Sequence, residues 1–411
     1  MPHLDALETR AHSDRLAALL ARLPAQLAHA KTHSPAYARL LADVDCQRIT
    51  SLAALATLPL TRKSALLAAQ QASPPFGGFA TLPPGQMARL FASPGPLYEP
   101  QGQHGNGWRL QRALYAAGFR AGDVVHNGFS YHFTPGGWMM DAGARALGCA
   151  VFPGGTGQTE LQVQAMRDLG ANGYTGTPSF LKLILEKAEQ LGVALPRLNK
   201  ALVSGEALPA SLRAWFTERG VTVFQCYATA DLGLIAYESQ PGAGMVVDED
   251  VLLELVSPGS GQPVADGEVG EVVVTTFDSA YPLLRFATGD LSATLPGPSP
   301  CGRSNVRIQG WLGRADQSAK VKGMFVHPEQ VHAVAARHPQ LGRVRLVIRQ
   351  LDHQDQMTLH AECPAPHDAA TLDSVATTLR ELTKLRGEVC LCAPGSLPAD
   401  GKIIADERSL A

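Results

Sequence analysis

The middle of the chain alternates short apolar runs with amphipathic segments. The apolar runs at 123–126, 149–152, 173–175, 200–204 and 221–225 are typical of short buried strands. The segments between them space their apolar residues as a helix does, most clearly over 178–191. Because strand and helix alternate, this pattern predicts βα units and a parallel sheet.

The regions on either side have different patterns. Residues 5–31 are predicted to be helical, and residues 71–106, rich in Gly and Pro, are predicted to be mostly loop. Residues 245–312 are rich in β-forming residues with Pro-Gly and Asp-Gly turns, which indicates an antiparallel β subdomain. Residues 313–411 are predicted to form a small α+β domain. The fold class is therefore α/β, with a large N-terminal domain over 1–312 that combines parallel αβ layers with a β subdomain.

Composition narrows the classes of function. The chain has 411 residues, 45% of them hydrophobic, and a net charge of −2. The absence of a basic excess argues against nucleic acid or an anionic membrane as partner. We find neither a signal peptide nor an apolar stretch of membrane-spanning length, so we expect a soluble, cytoplasmic protein. Small molecules are the expected partners, and a homodimer is the default oligomeric expectation.

Position in a parallel sheet makes two segments candidates for a site. Ligands bind outside the carboxyl ends of such strands, where SGEALP (204–209) and CYATAD (226–231) follow the fourth and fifth predicted strands. In the second segment, Tyr227 is suited to stack on a base and Asp231 to hold Mg²⁺. A core aromatic and a helix N-cap are the structural alternatives for these two residues.

Further candidates lie outside the predicted sheet. Asp290, after Gly289, can accept from a ribose diol, or it can simply form a turn. Arg314 can bind phosphate or ribose, or join Asp316 in a loop salt bridge. Lys402, in a Gly/Pro/Asp loop, can neutralise developing negative charge, or it can be a solvated tail lysine. His132 is either a pocket residue or a hydrogen-bonded core histidine.

Several of these short motifs, taken together and in their order along the chain, resemble those of a known superfamily. GEALP, YATAD, RFATGDL, GRADQSAKVKG and LPADGK resemble, in this order, the core motifs of the adenylate-forming superfamily. Segments 58–67, 129–162, 173–181 and 321–331 resemble the phenylacetate–coenzyme A ligase branch of it. The resemblance covers roughly residues 55 to 405.

The resemblance implies a role for each matching residue. The adenine would lie along Gly205, Glu206 and Ala207, and the nucleotide site would continue with Tyr227, Ala228 and Thr229. Asp290 would bind the ribose, and Arg314 would contact ribose or phosphate. Asp316 would be the hinge of a mobile C-terminal lid over 313–411, and Lys402 would serve adenylate formation. The acid pocket would be lined by Tyr131, His132, Phe133 and Gly136, with Gly154 and Gly155 nearby. The implied cofactors are ATP, Mg²⁺ and coenzyme A, and the implied substrate is a small, aromatic (phenylacetate-like) carboxylic acid, activated as an acyl-adenylate.

The phosphate end departs from the family pattern. Where the family has a Ser/Thr/Gly-rich loop ending in Gly-Lys, this chain reads ASPGPLYEP (92–100), and the motif YATAD has Asp231 where the family has Glu. Ala287 stands where the family usually has Arg. Three hypotheses therefore stay open: an acid–coenzyme A ligase, an enzyme that adenylates or transfers a nucleotidyl group without coenzyme A, and a catalytically weakened protein that binds AMP or acyl-coenzyme A.

Overall fold

The chain divides into two compact units, Met1–Leu312 and Gly313–Ala411. The computed structural model describes residues 2–93, 97–103, 107–258, 260–315, 318–351, 354–364, 369–398 and 403–408. Both units mix helices and strands, and the predicted α/β class is confirmed.

The first unit begins with helices and continues as the alternating pattern predicts. Its helices are α1 (His12–His33), α2 (Pro35–Leu40), α3 (Leu52–Ala56), α4 (Lys63–Ala72), α5 (Leu110–Ala116), α6 (Gly136–Ala146), α7 (Thr159–Asp168), α8 (Pro178–Gln190) and α9 (Ala210–Glu218). Its strands are β1 (Thr61–Arg62), β2 (Arg89–Ser93), β3 (Leu97–Gln101), β4 (Val124–Asn127), β5 (Ala150–Phe152), β6 (Gly173–Gly176), β7 (Lys200–Val203), β8 (Thr222–Thr229), β9 (Gly233–Glu238), β10 (Met245–Val247), β11 (Val251–Val256), β12 (Gly270–Thr276), β13 (Phe286–Ser292), β14 (Thr294–Leu295) and β15 (Arg307–Ile308).

The predicted parallel strands form the centre of a nine-stranded sheet. Its order is β14-β15-β10-β9-β8-β7-β6-β4-β5, and the strands from β8 to β5 run parallel. The chain goes from β4 to its neighbour β5 and then returns to the other side of β4 to form β6. The carboxyl ends of β4 and β6 therefore border a topological switch point, where ligands bind in open α/β sheets.

Helices cover both faces of the parallel strands. Leu202 packs with the α5–α6 side of the sheet, whereas its neighbours Ala201 and Val203 pack with α7, α8 and α9 on the other. Successive side chains of a strand point to opposite faces, and both faces are buried here. This explains why these strands are continuous apolar runs in the sequence.

The stretch 245–312 contributes to two sheets. β10, β14 and β15 extend the nine-stranded sheet with antiparallel pairs, while β11, β12 and β13 form a second sheet with β1. Leu23 and Leu27 of α1 belong to the same buried cluster as residues of this second sheet, such as Val272. These two leucines therefore lie on the core-facing side of α1.

One hairpin forms where mostly loop was expected. β2 and β3 pair in antiparallel register, with Phe91 opposite Glu99. Gly and Pro around it hide the short strands from a reading of the sequence. This hairpin carries the segment that departs from the family's phosphate loop.

The second unit is a small α+β fold. It contains β16 (Gly313–Arg314), β17 (Ala319–Val321), β18 (Met324–Val326), α10 (Pro328–Arg337), β19 (Val344–Leu351), β20 (Gln354–Glu362), α11 (Ala369–Thr383), β21 (Glu388–Cys392) and β22 (Ile404–Asp406). Four of its strands form a sheet in the order β21-β20-β19-β22, and β17 pairs with β18. Across both units, no helix of the described ranges has the length and apolarity that a bilayer crossing requires.

Candidate active site

The switch point is organised by the side chain of Asn127, the last residue of β4. Its Nδ2 donates to the Tyr131 hydroxyl at 2.7 Å and to the Gly137 carbonyl at 2.8 Å. Its Oδ1 accepts from the Thr175 hydroxyl on β6 at 3.0 Å. One buried amide therefore ties the ends of β4 and β6 to the loop that follows β4.

That loop holds most of the predicted acid pocket. Tyr131 is half-buried, and its hydroxyl donates to the Asp141 carboxylate at 3.3 Å. His132 is exposed, so the alternative of a core histidine is wrong. Phe133 is 81% exposed and has a φ of 61°, and Gly136 is the first residue of α6. Tyr131 is thus partly enclosed by the fold, while His132 and Phe133 lie at the surface of the loop, and the pocket role of all three stays a prediction.

The buried histidine of this region is His126, which the sequence reading did not single out. Its ring is fully buried between Phe152 and Tyr174, at centroid distances of 5.2 and 6.4 Å. Its Nε2 lies 2.6 Å from Oε1 of Gln162. Burial lowers the pKa of His126, so the imidazole is neutral at pH 7.

The partners of Gln162 define the tautomer of this histidine. The amide nitrogen of Gln162 donates to the carbonyls of Gly155 and Gly157 at 3.0 and 2.6 Å, which directs its oxygen to His126. Nε2 of His126 therefore carries the proton, and Nδ1 presents a lone pair. That Nδ1 is buried and has no hydrogen-bond partner among the described residues.

Gly154 and Gly155 form the turn above this histidine. A Cβ at Gly154 would lie 2.7 Å from Nε2 of His126 and 2.9 Å from the Gln162 oxygen. Gly155 has a φ of 67° and donates its amide to the Asn127 carbonyl at 3.0 Å. The first glycine is thus required by a close approach and the second by its backbone conformation.

The GEALP segment connects β7 to α9 beside the neighbouring strand ends. Gly205 has a φ of 85°, and Glu206 accepts from the Ser179 amide at 3.3 Å through Oε2. The Glu206 carbonyl accepts from the Gln225 side chain at 3.2 Å. Ala207 is half-buried in the same segment. The segment is therefore held between the start of α8 and β8.

The structure brings Tyr227 and Asp290 together across two sheets. The Tyr227 hydroxyl, on β8, donates to Oδ2 of Asp290, on β13, at 2.7 Å. The Trp311 indole donates to Oδ1 of Asp290 at 3.0 Å. These two donors, one on each oxygen, fix the orientation of the carboxylate. The arrangement suits a pair of vicinal hydroxyls, whereas a turn-forming Asp would need only local contacts.

The motif that follows Tyr227 is a bulged turn. Strand β8 continues to Thr229, farther than the predicted strand end at 225, and its register with β9 shifts between Tyr227 and Ala228. The Thr229 hydroxyl accepts from the Leu232 amide at 3.1 Å. The Thr229 hydroxyl therefore closes the turn.

Asp231 lies in this turn with a buried side chain. Its Oδ2 accepts from Nζ of Lys63, at the start of α4, at 3.0 Å. The sequence quoted Lys63 only within segment 58–67 and gave it no role, because its partner lies 168 residues away. Oδ1 of Asp231 is buried and accepts no hydrogen bond from any residue that the structure describes.

The remaining predicted residues belong to the second unit. The Arg314 guanidinium lies 5.1 Å from the centroid of the Phe325 ring. Asp316 and Lys402 lie outside the described residues. The hinge role of Asp316 and the catalytic role of Lys402 stay predictions.

Comparison with known proteins identifies the class first. Residues 103–277 match the family model described as AMP-binding enzyme. This range holds the switch point, the GEALP segment and Tyr227. The class that fold and site define is therefore that of the AMP-binding enzymes.

Curated relatives narrow this class. The chain is 32% identical to a phenylacetate–coenzyme A ligase of Thermus thermophilus, over 84% of this chain and 80% of the relative. It is 31% identical to the enzyme of the same name from Aromatoleum evansii, over 86% and 83%. A crystal structure of 2-hydroxyisobutyryl-CoA ligase, in complex with 2-HIB-AMP and CoA, aligns with a TM-score of 0.84 and 25% identity, covering 100% of this chain and 94% of that one. The chain belongs to the phenylacetate–coenzyme A ligase family of AMP-binding enzymes.

Proposed function

We propose that this protein is an ATP-dependent acid–coenzyme A ligase. It would convert a small carboxylic acid to an acyl-adenylate with release of pyrophosphate, and then transfer the acyl group to the thiol of coenzyme A with release of AMP. The observation that carries the proposal is the Asp290 carboxylate, fixed by Tyr227 and Trp311 beside the carboxyl end of β8. Family membership and the AMP-binding match support the same reading.

The walls of the switch point favour an aromatic acid. Tyr131 and Trp138 pack edge to face at 5.4 Å, and His126 is stacked on Phe152 at 5.2 Å. A neutral imidazole and aromatic rings suit the apolar part of a phenylacetate-like acid better than they suit a substrate with a second charged group. The names of the curated relatives agree with this substrate class.

Each motif that resembles the family then has a task in the proposed reaction. The GEALP segment and Tyr227 would bind the adenine, Asp290 the ribose, and Arg314 a ribose or phosphate oxygen. Lys402 would stabilise negative charge during adenylate formation. Movement of the second unit about Asp316 would then admit coenzyme A to the same site.

Magnesium is part of the proposal because of Asp231. Its buried Oδ1 accepts no hydrogen bond from any described residue, and hard oxygen ligands are those that Mg²⁺ prefers. The residue present therefore fits the ion. When bound, Mg²⁺ would shield the negative charge of the triphosphate.

The test is ATP–pyrophosphate exchange over a panel of aryl and alkyl acids, followed by mass spectrometry of the products with and without coenzyme A. We expect exchange with aryl acids and an acyl-coenzyme A product only when coenzyme A is present. Adenylated products without a thioester would favour the second hypothesis of the sequence analysis. Absence of exchange across the panel, together with no binding of AMP, would overturn the proposal.

A further inference from the structure

A second carboxyl group lies beside Asp231 and has no role in the proposed reaction so far. Glu99, on β3 of the hairpin, is 2% exposed. Its Oε2 accepts from the Ser93 hydroxyl at 2.5 Å. Its Oε1 is buried and accepts no hydrogen bond from any residue in the described ranges. Glu99 and Asp231 therefore each present one buried oxygen without a donor.

The two carboxyl groups face the same small cavity. Glu99 and Asp231 line it together with the charged residues Asp278 and Arg109 and with Tyr281, and its volume is about 30 Å³. A cavity of roughly 10–15 Å³ already holds a water molecule. The space therefore suits a cation that keeps part of its hydration.

The charges around the two carboxyl groups do not balance. Nζ of Lys63 lies 3.0 Å from Oδ2 of Asp231, and Arg109 pairs with Asp248 at 2.9 Å. Glu99 accepts from the Ser93 hydroxyl and forms no ion pair with any described residue. A fully ionised Glu99–Asp231 pair therefore has an uncompensated buried negative charge.

The hairpin has one cation, Arg89 at the start of β2, whose guanidinium donates to the Gln101 side chain and lies 4.2 Å from the centroid of the Trp138 ring. Residues 90–101, LFASPGPLYEPQ, contain no Lys or Arg. Mg²⁺ is typically held by one or two carboxylates together with waters and substrate phosphates. A cation between Glu99 and Asp231 would place positive charge beside residues 90–101, which have none.

We infer that Glu99 and Asp231 together bind one divalent cation. The cation held at this two-carboxylate site neutralises the negative charge of the phosphates, in place of a basic residue in the hairpin loop. Lys63 is a positioning residue, because it holds the second oxygen of Asp231 and so directs the first into the cavity. The role in turnover rests on the proposed ligase function, whereas cation binding itself does not.

The experiment titrates Mn²⁺ alone into the full chain and measures free Mn²⁺ by electron paramagnetic resonance. We expect one Mn²⁺ per wild-type chain, displaced by Mg²⁺, and at least tenfold weaker binding in Glu99→Gln and in Asp231→Asn. Glu99→Asp, which keeps the charge, should retain more binding than Glu99→Gln. Glu218→Gln, an exposed Glu at the end of α9, is the matched control and should bind as the wild type does.

Turnover supplies the second readout. Glu99→Gln should raise the Mg²⁺ concentration needed for half-maximal exchange at least several-fold, with little change in the KM for the acid. The inference is overturned if wild-type protein binds no Mn²⁺, or if Glu99→Gln binds it as tightly as wild type. It is also overturned if Glu99→Gln binds ATP more tightly at unchanged Mn²⁺ affinity, because Glu99 would then only repel phosphate. A chain that binds Mn²⁺ through Glu99 but activates no acid would refute the ligase function and not the cation site.

Discussion

Hydrogen-bond partners from distant parts of the chain decide what each site residue can do. Asp290 is directed by Tyr227 and Trp311, and the protonated nitrogen of His126 is selected by Gln162. The sequence could predict Asp290, because it follows Gly289 within a motif. It could not predict a role for His126, because nothing in the sequence distinguishes a His at the end of an apolar run until its hydrogen-bond partner is known.

The ribose anchor leads to the first prediction. Asp290→Asn removes a charge that accepts hydrogen bonds, and such a bond contributes about 1.5–3 kcal/mol. We expect AMP to bind roughly 10- to 100-fold more weakly by calorimetry. Asp266→Asn, an exposed turn carboxylate, is the control and should not change AMP affinity. Unchanged affinity in Asp290→Asn would refute the ribose role.

The neutral state of His126 leads to a prediction about pH. Burial lowers the pKa of His126 in the folded chain, whereas the unfolded chain takes up this proton near pH ~6.5. As the pH falls below that value, the unfolded state binds more protons than the folded state, so stability is lost. Between about pH 7 and pH 5, the melting temperature of His126→Asn should fall by less than that of the wild type. Equal losses would show that His126 does not contribute to the pH dependence.

Turns at the ends of strands are the elements that build the site. The periodicity located β4 to β8, and the carboxyl-end rule then selected the GEALP and YATAD segments. The hairpin β2–β3 was missed, because its strands are five residues each and lie among Gly and Pro. Its register places Glu99 inside, and register depends on pairing rather than on composition.

The turn after β5 can be tested with a single methyl group. Gly154→Ala would place its Cβ within 3 Å of both His126 and Gln162, at a cost of about 1–3 kcal/mol in the free energy of unfolding. We expect a lower melting temperature and a higher KM for the acid, with the KM for ATP nearly unchanged. Gly85→Ala is the control, since no described atom would lie within 4 Å of its Cβ and its φ is not positive. A rise in the KM for ATP alone would place the turn at the nucleotide instead.

The whole molecule consists of two compact units, and the proposed reaction assigns work to both. The first unit holds the switch point, the proposed ribose anchor Asp290 and the carboxyl pair Glu99 and Asp231. The second unit holds Arg314, and its segment around Lys402 carries the predicted catalytic lysine. A two-step reaction in which one site serves ATP first and coenzyme A second requires such a division.

This division predicts that the two half-reactions are separable. Lys402→Ala should reduce ATP–pyrophosphate exchange by at least about 100-fold, since it removes the charge that stabilises the developing negative charge. Thioester formation from supplied acyl-adenylate and coenzyme A should change only a few-fold. Arg386→Ala, an exposed cation of the second unit, should leave both half-reactions unchanged. Equal loss of both half-reactions in Lys402→Ala would contradict the assigned role.

The sequence by itself determined the α/β class, the parallel strands and the ordered motifs, because periodicity and local turn chemistry are properties of neighbouring residues. It also indicated that the phosphate end departs from the family pattern. Only the tertiary structure brought Glu99 from a hairpin and Asp231 from the β8–β9 turn to one cavity, with Lys63 of α4 hydrogen-bonded to Asp231. Contacts between residues so far apart in the chain depend on sheet order, crossover and register, and these follow from the packing of the whole first unit.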